Sequence, residues 1–421
     1  MTTKQQFSQR AAWAVGQPIS ELMARALANP ELISLAAGFV DSATLPVEFT
    51  ADAMSAIFAD ETTARRALQY GSTPGCPELR HLIMDRICQE DELPAGTLDY
   101  QQVVLTAGSN QLLHLVAESI LNTGDIVISA APTYFVFLGM LANLGARTCG
   151  VPTDDEGILP WALDELLQRL ESQEQLPRVK ALYLVSYYDN PQGITISLRR
   201  RQELLDVIRR WRSKQNILII EDAAYRELRY AGDAVPSMLS LEGAADHVVY
   251  AGTFSKSFSP GVRVGWGILP VSLVDPVCNQ KGNIDFGSPH FNQLLMLTVI
   301  KNGWYDPHID SIRQSYGVKL QAMLTAIDQY IGAIDGVTWV RPRGGLYVWL
   351  ELPPAIDTGP DGVLADRAVS EGVLYVPGQY CYPSSGSPVK RNTMRLSFGV
   401  QSPERIVEGI EKLGRAIRSV L

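Results

Sequence analysis

The chain has 421 residues, 46% hydrophobic and 19% charged, with a formal net charge of −9. That length exceeds one minimal core and predicts about two or three lobes, while the acidic balance argues against nucleic-acid binding, which needs a basic patch. Cys76, Cys88, Cys149, Cys278 and Cys381 form no C-x-x-C pair, so neither a disulfide framework nor a zinc site is indicated, and a reducing cytoplasm fits best.

From the N-terminus, Met1–Arg10 lacks the apolar stretch of a signal peptide, and no run of ~18 apolar residues marks a membrane span. Val103–Thr106 predicts a strand, followed by Gly108 and a helix from about Asn110 to Leu121 with Leu112, Leu113, Val116 and Ile120 on one face. Ile126–Ser129 is a second strand, closing at Pro132. Ala181–Ser186 is a near-continuous apolar run, as expected of a strand buried on both faces. The helix Leu198–Trp211 carries Arg199, Arg200, Arg201, Arg209 and Arg210, with Arg212 just beyond and Glu203 and Asp206 among them, which reads as a solvated face. Strands Ile217–Ile220, Val248–Tyr250 and Val264–Ile268 follow.

This strand–helix alternation predicts an α/β fold, a mostly parallel sheet with helices on both faces, over a large domain of residues 46–290. The tail differs. A helix Asp310–Ile331, a strand Val337–Val340, the alternating Gly344–Leu352, a helix near Gly362–Glu371, a strand Met394–Phe398 and a last helix Pro403–Leu421 predict a smaller α+β domain. It comprises residues 291–421 together with residues 1–45.

Ligands of open α/β sheets bind beyond the carboxyl ends of the strands. Ser109, Asn190, Asp222 and Lys256 all follow expected strands, so periodicity alone predicts that they converge on one rim. The stretch Ala251-Gly-Thr-Phe-Ser-Lys256-Ser-Phe-Ser-Pro-Gly-Val-Arg263-Val-Gly265 delivers one amine onto a loop of small residues that a phosphate can approach. A lysine so placed suits a Schiff base with pyridoxal 5′-phosphate. Each neighbour has a job with that ligand. Asp222 would keep the pyridine nitrogen protonated, and Asn190 and Tyr225 would bond its phenolate oxygen. Gly108, Ser109 and Asn110 would offer backbone N–H groups at a helix N-terminus to the phosphate, joined by Ser255 and Arg263. Tyr134 would stack on the ring. Taken singly, Lys256 could be a solvated lysine, Asn190 a turn residue, Asp222 or Ser109 a helix cap, Tyr134 a core aromatic and Arg395 half of a structural ion pair. Their order and placement at strand ends carry the reading. The five histidines fall into no ligand pair, so no metal site is expected.

The same residues sit in longer motifs: Ala67-Leu-Gln-Tyr70-Gly with Gly75-Cys-Pro-Glu-Leu-Arg80; Thr106-Ala-Gly-Ser-Asn-Gln111; Ala131-Pro-Thr-Tyr134; Asp189-Asn-Pro-Gln-Gly193; Glu221-Asp-Ala-Ala-Tyr225; Thr253-Phe-Ser-Lys256 to Arg263-Val-Gly265; Pro342-Arg-Gly-Gly-Leu-Tyr-Val-Trp349; and Met394-Arg-Leu-Ser-Phe398. With them the chain resembles the fold type I pyridoxal-phosphate-dependent aminotransferases of class I/II, over nearly its whole length from about Leu35. Within these it is similar to the aminoadipate/kynurenine aminotransferase branch and to the aminotransferase-like half of MocR-type regulators. The resemblance implies Lys256 as the Schiff-base lysine and proton shuttle, with Asp222 and Tyr225 as its catalytic companions. It implies Ser109, Asn110, Tyr134, Asn190, Ser255 and Arg263 as cofactor contacts. Arg395 would grip the substrate α-carboxylate as a bidentate fork, with Asn190 and Gly38 beside it. Tyr70 would reach the phosphate of a neighbouring subunit, making the active unit a homodimer. Asn110 stands where glutamine is common, and Gly38–Pro46 is an unusual version of the segment that shapes the substrate pocket.

The expected function is therefore transfer of an amino group from an amino acid to a 2-oxo acid. A lyase or aminocyclopropane-carboxylate-synthase-like elimination would use the same lysine, aspartate and arginine. A non-catalytic ligand sensor of MocR type is a third reading, disfavoured because only some 35 residues precede the resemblance and the chain is acidic. A nicotinamide-binding fold fits poorly, because Gly261-Val-Arg-Val-Gly-Trp-Gly267 does not match G-x-G-x-x-G.

Overall fold

A computed structural model of the chain describes residues 7–14, 16, 29 and 31–421. The remainder of the expected 1–45 segment lies outside the described residues. In chain order the strands are β1 Ile33–Ser34, β2 Val103–Thr106, β3 Ile126–Ala131, β4 Arg147–Asp154, β5 Gly157–Ile158, β6 Val179–Val185, β7 Leu218–Asp222 and β8 Val248–Thr253. They continue as β9 Gly265–Ile268, β10 Thr338–Trp339, β11 Tyr347–Glu351, β12 Val373–Leu374, β13 Val376–Pro377 and β14 Thr393–Ser397.

One sheet takes the order β2-β9-β8-β7-β6-β3-β4-β5. The pairs β8–β7, β7–β6, β6–β3 and β3–β4 are parallel. Strand β9 runs antiparallel between β8 and β2, and β5 turns back on β4. The sheet is thus mostly parallel, as its composition predicts. β8 is buried along its whole length and β6 at every position but Lys180, which is why both read as unbroken apolar runs rather than alternating ones.

Helices cover the sheet. Ser109–Ile120 buries Leu112, Leu113, Leu115 and Val116. In Leu198–Trp211 the hydroxyl of the N-cap residue Ser197 accepts a hydrogen bond from the Arg200 amide at 3.2 Å, and Leu204, Leu205 and Ile208 are buried. Here one expectation fails. Arg200 and Arg201 are not on a solvated face but buried. Arg201 lies 3.0 Å from Glu221 Oε1 and donates to the carbonyls of Ser186, Ile196 and Pro236, while Arg200 forks onto Asp154. Their partners are distant in sequence, so the helix pattern alone could not reveal them.

The second sheet, β10-β11-β14-β13, is antiparallel throughout, and the helices Tyr305–Tyr330 and Pro403–Arg418 pack on each other, the latter also against β1 and β12. β1 pairs with β12 in parallel, which ties residues 33–34 to this lobe. Helix His290–Lys301 packs instead on Val47–Ala59 and Pro77–Glu90. No described helix is long and apolar enough to cross a membrane.

The Arg201–Glu221 pair is fully enclosed. Removing one partner strands a buried charge, which costs ~3–5 kcal/mol. Glu221→Ala should lower unfolding free energy by about that amount in denaturant titration, whereas a surface pair would lose about 1 kcal/mol or less.

Candidate active site

The rim beyond β3, β6, β7 and β8 gathers the expected residues. Asp222 is the last residue of β7 and is buried. Its Oδ2 accepts from the Tyr183 hydroxyl at 2.9 Å and its Oδ1 from the Ala224 amide at 3.1 Å. No cation pairs with it among the described residues. Burial pushes its carboxyl up to about 6, against the pull of the Tyr183 and Ala224 bonds.

Lys256 follows β8 and is half-buried. Its Nζ donates to the Gly38 carbonyl at 2.9 Å and stands 5.9 Å from the Tyr225 ring centroid. Burial lowers its affinity for a proton, aided by the positive charges of Arg395 and Arg263. An amine shifted in this direction is closer to a nucleophile at neutral pH. The next residue, Ser257, receives a hydrogen bond of 2.7 Å from the buried Tyr305 hydroxyl, which fixes the lysine's backbone.

Around Gly108 the chain makes a cradle. Gly108 has φ +85° and precedes helix Ser109–Ile120, so that helix's first N–H groups face the rim. A Cβ on Gly265 would lie 2.6 Å from the Ser109 nitrogen, and one on Gly108 would lie 2.5 Å from Arg263 Nη2. Only glycine permits this approach. Arg263, in the left-handed region at φ 48°, donates to Ala107 O at 2.8 Å and approaches Ser255 Oγ at 3.4 Å. Tyr134 reaches Asn110 Oδ1 at 3.5 Å.

Arg395, on β14, is buried. It donates to Asn190 Oδ1 at 2.9 Å and to the Ala36 carbonyl at 2.8 Å, and its Nε has no partner among the described residues. Asn190 is held by the turn 189–194, where Asp189 Oδ1 accepts from the Ile194 amide at 2.8 Å. With Oδ1 taken by Arg395, the Asn190 amide NH₂ remains a donor.

Of the expected residues, the structure brings together Ser109, Asn110, Tyr134, Asn190, Asp222, Tyr225, Ser255, Lys256, Arg263, Arg395 and Gly38. It does not bring Tyr70 to them: that side chain is 78% exposed and meets Phe286 edge-on at 5.4 Å. Two residues escape the sequence reading. Tyr183 is the one hydroxyl in β6. Tyr347, whose hydroxyl is 3.2 Å from that of Tyr225, lies two residues from Trp349, the partner of Arg395 across β11 and β14. Alternation along β11 could have placed Tyr347 on the Arg395 face.

The arrangement fits pyridoxal phosphate. A buried carboxylate without a cation suits a protonated ring nitrogen. The glycine-and-arginine cradle suits a phosphate, and the amine suits a carbonyl carbon. Among the described residues no cluster of His, Cys, Asp and Glu could hold a metal ion.

Comparison with known proteins agrees. The sequence model of the family "Aminotransferase class I and II" matches residues 30–413. The chain is 33% identical to aromatic-amino-acid aminotransferase 1 of Thermococcus litoralis, over 98% of this chain and 94% of that protein. Its fold matches the kynurenine aminotransferase of Pyrococcus horikoshii, solved with PMP, at TM-score 0.89 and 32% identity, covering 99% and 97% of the two chains. It matches the α-aminoadipate aminotransferase of Thermus thermophilus, complexed with N-(5′-phosphopyridoxyl)-L-leucine, at TM-score 0.85 and 32% identity, covering 98% and 97%. These similarities do not favour the elimination or sensor readings.

The Asp222 shift has a consequence for stability. Its folded value, about 6, lies above that of a free aspartate, so the contribution is fully present below about pH 4 and is lost as pH rises through about 6. Without cofactor, Asp222→Asn should therefore gain about 2–3 kcal/mol over the parent between pH 4 and pH 8, read by thermal or denaturant unfolding. A pH-independent difference would contradict this. The chain belongs to the class I and II aminotransferase family and is a pyridoxal-phosphate-dependent transaminase.

Proposed function

We propose that Lys256 carries the cofactor and moves the transferred proton, while the other rim residues hold the reactants around it. When bound, pyridoxal phosphate supplies the electron sink that makes an amino acid's Cα–H acidic. Asp222 holds a positive charge at the ring nitrogen. Asn190 and Tyr225 donate to the ring oxygen. Ser109, Asn110, Ser255 and Arg263 bind the phosphate, and Tyr134 packs against the ring. Arg395 orients the α-carboxylate of the amino acid or the 2-oxo acid through its planar fork, with Gly38 close by. Lys256, its proton affinity lowered by burial, would accept the amino acid's Cα proton at Nζ and serve as the shuttle for it. One observation carries this reading. A buried carboxylate, a half-buried amine and a buried guanidinium meet at one rim without pairing with one another.

We further infer a homodimer in which Tyr70 reaches the partner's site; its exposure, beside exposed Phe286 and Leu68, supports that reading. A two-lobe division fits the packing, with helix His290–Lys301 siding with the large lobe beyond the 290 boundary. A cytoplasmic location rests on the cysteine usage.

Mixing the cofactor-loaded protein with single amino acids tests the function. The first donors to try are aromatic amino acids, 2-aminoadipate and kynurenine, after the relatives' names. The expected result is conversion of the bound chromophore to the pyridoxamine form, with release of a 2-oxo acid. Consumption of amino acid without pyridoxamine would indicate elimination, and an unchanged spectrum a sensor. Lys256→Ala should abolish conversion.

A further inference from the structure

Tyr347 opens β11, just after the turn at Gly344 and Gly345. The Arg395 guanidinium carbon stands 4.3 Å from the centroid of its ring. Its hydroxyl lies 3.2 Å from the Tyr225 hydroxyl, with the two rings at 77°. A Cβ on Gly38 would approach that hydroxyl to 2.7 Å, so the segment whose carbonyl holds Lys256 packs directly against it. One side chain therefore touches the carboxylate fork, the ring-oxygen donor and the strap over the lysine.

Ring and hydroxyl have separable roles. A phenylalanine would keep the contact with Arg395, so the hydroxyl's own contribution is the bond to Tyr225. Burial, with the phenols of Tyr347 and Tyr134 alongside, holds Tyr225 well above the ordinary phenol range, so it keeps its proton. Between two phenols only one proton occupies the shared line, and the other is free to point elsewhere. A charged acceptor binds a donor about twice as strongly as a neutral one. With an anionic ring oxygen in reach, Tyr225 gives its proton there and takes its second bond from Tyr347.

We propose that Tyr347 is a positioning residue of the transamination site: its hydroxyl donates to the Tyr225 oxygen and turns the Tyr225 proton toward the cofactor's ring oxygen, while its ring keeps the Arg395 guanidinium in register. This rests on the role given to Tyr225 above. Donors in series polarise one another, so loss of the first weakens the second. A weaker donor leaves the ring oxygen more basic, and the lysine nitrogen joined to the cofactor then keeps its proton to higher pH.

The test is the pH titration of the visible absorption of the cofactor-loaded protein, alongside steady-state KM and kcat. Tyr347→Phe should raise the titration midpoint by roughly 0.4–1 unit, and Tyr225→Phe should raise it further. Adding Tyr347→Phe to Tyr225→Phe should then move nothing. Tyr347→Leu, which also bares Arg395, should raise KM for amino acid and 2-oxo acid by about tenfold. An unmoved midpoint in Tyr347→Phe, or an equal shift in both backgrounds, overturns the proposal. A titration indifferent to Tyr225→Phe removes the donor and overturns it as well. A parent protein with no visible chromophore overturns instead the cofactor reading itself.

Discussion

A carboxylate buried at the end of a central strand, paired with no cation among the described residues, is the constraint on which the site depends. Asp222 is enclosed by its neighbours in the sheet and held only by neutral donors, the Tyr183 hydroxyl and one backbone amide. Ionising such a group is costly unless a positive charge is supplied. Among the described residues none pairs with it, while two positive groups, Lys256 and Arg395, have backbone and amide oxygens as their partners. The charges are kept apart, and on the proposed reading each would meet its own complement: a ring cation for Asp222, a carbonyl for Lys256, a carboxylate for Arg395.

The sheet makes that separation possible. Strands β3, β6, β7 and β8 share one direction, so Tyr134, Asn190, Asp222 and Lys256 all emerge on one edge. The order of strands reverses between β3 and β6, whose chains lead away to opposite sides, and this opens the crevice typical of such sheets. The antiparallel β9 then adds something a purely parallel sheet would lack. It brings the chain back past Gly108, with Gly265 touching the Ser109 amide, and so returns Arg263 to the helix N-terminus. The second sheet contributes Arg395 and Tyr347 from paired strands, and these contact Asn190 and Tyr225 of the first.

Much of this was legible in the sequence, for identifiable reasons. Buried parallel strands are short apolar runs, and the residue after each run falls on the rim whatever the details of packing. Asp222, Asn190 and Lys256 follow from that. Other features depend on partners remote in sequence. Arg200 and Arg201 look like surface arginines until Asp154 and Glu221 are folded against them. Tyr183 and Tyr347 acquire their roles only from facing Asp222 and Tyr225. β4 went unread because Gly150 and Pro152 interrupt it, and helix Phe135–Asn143 because it is apolar on nearly every side and shows no period. The antiparallel direction of β9 leaves no trace in a run of four residues. The role proposed for Tyr70, which is exposed in the single chain, depends on a second copy.

The most direct measurement of the central claim is chemical. Borohydride reduction of the cofactor-loaded protein, followed by proteolysis and mass spectrometry, locates the lysine that carries the pyridoxyl group. The account predicts the label on Lys256 alone, and its loss of occupancy in Asp222→Asn. Label on another lysine, or scattered among several, would contradict it.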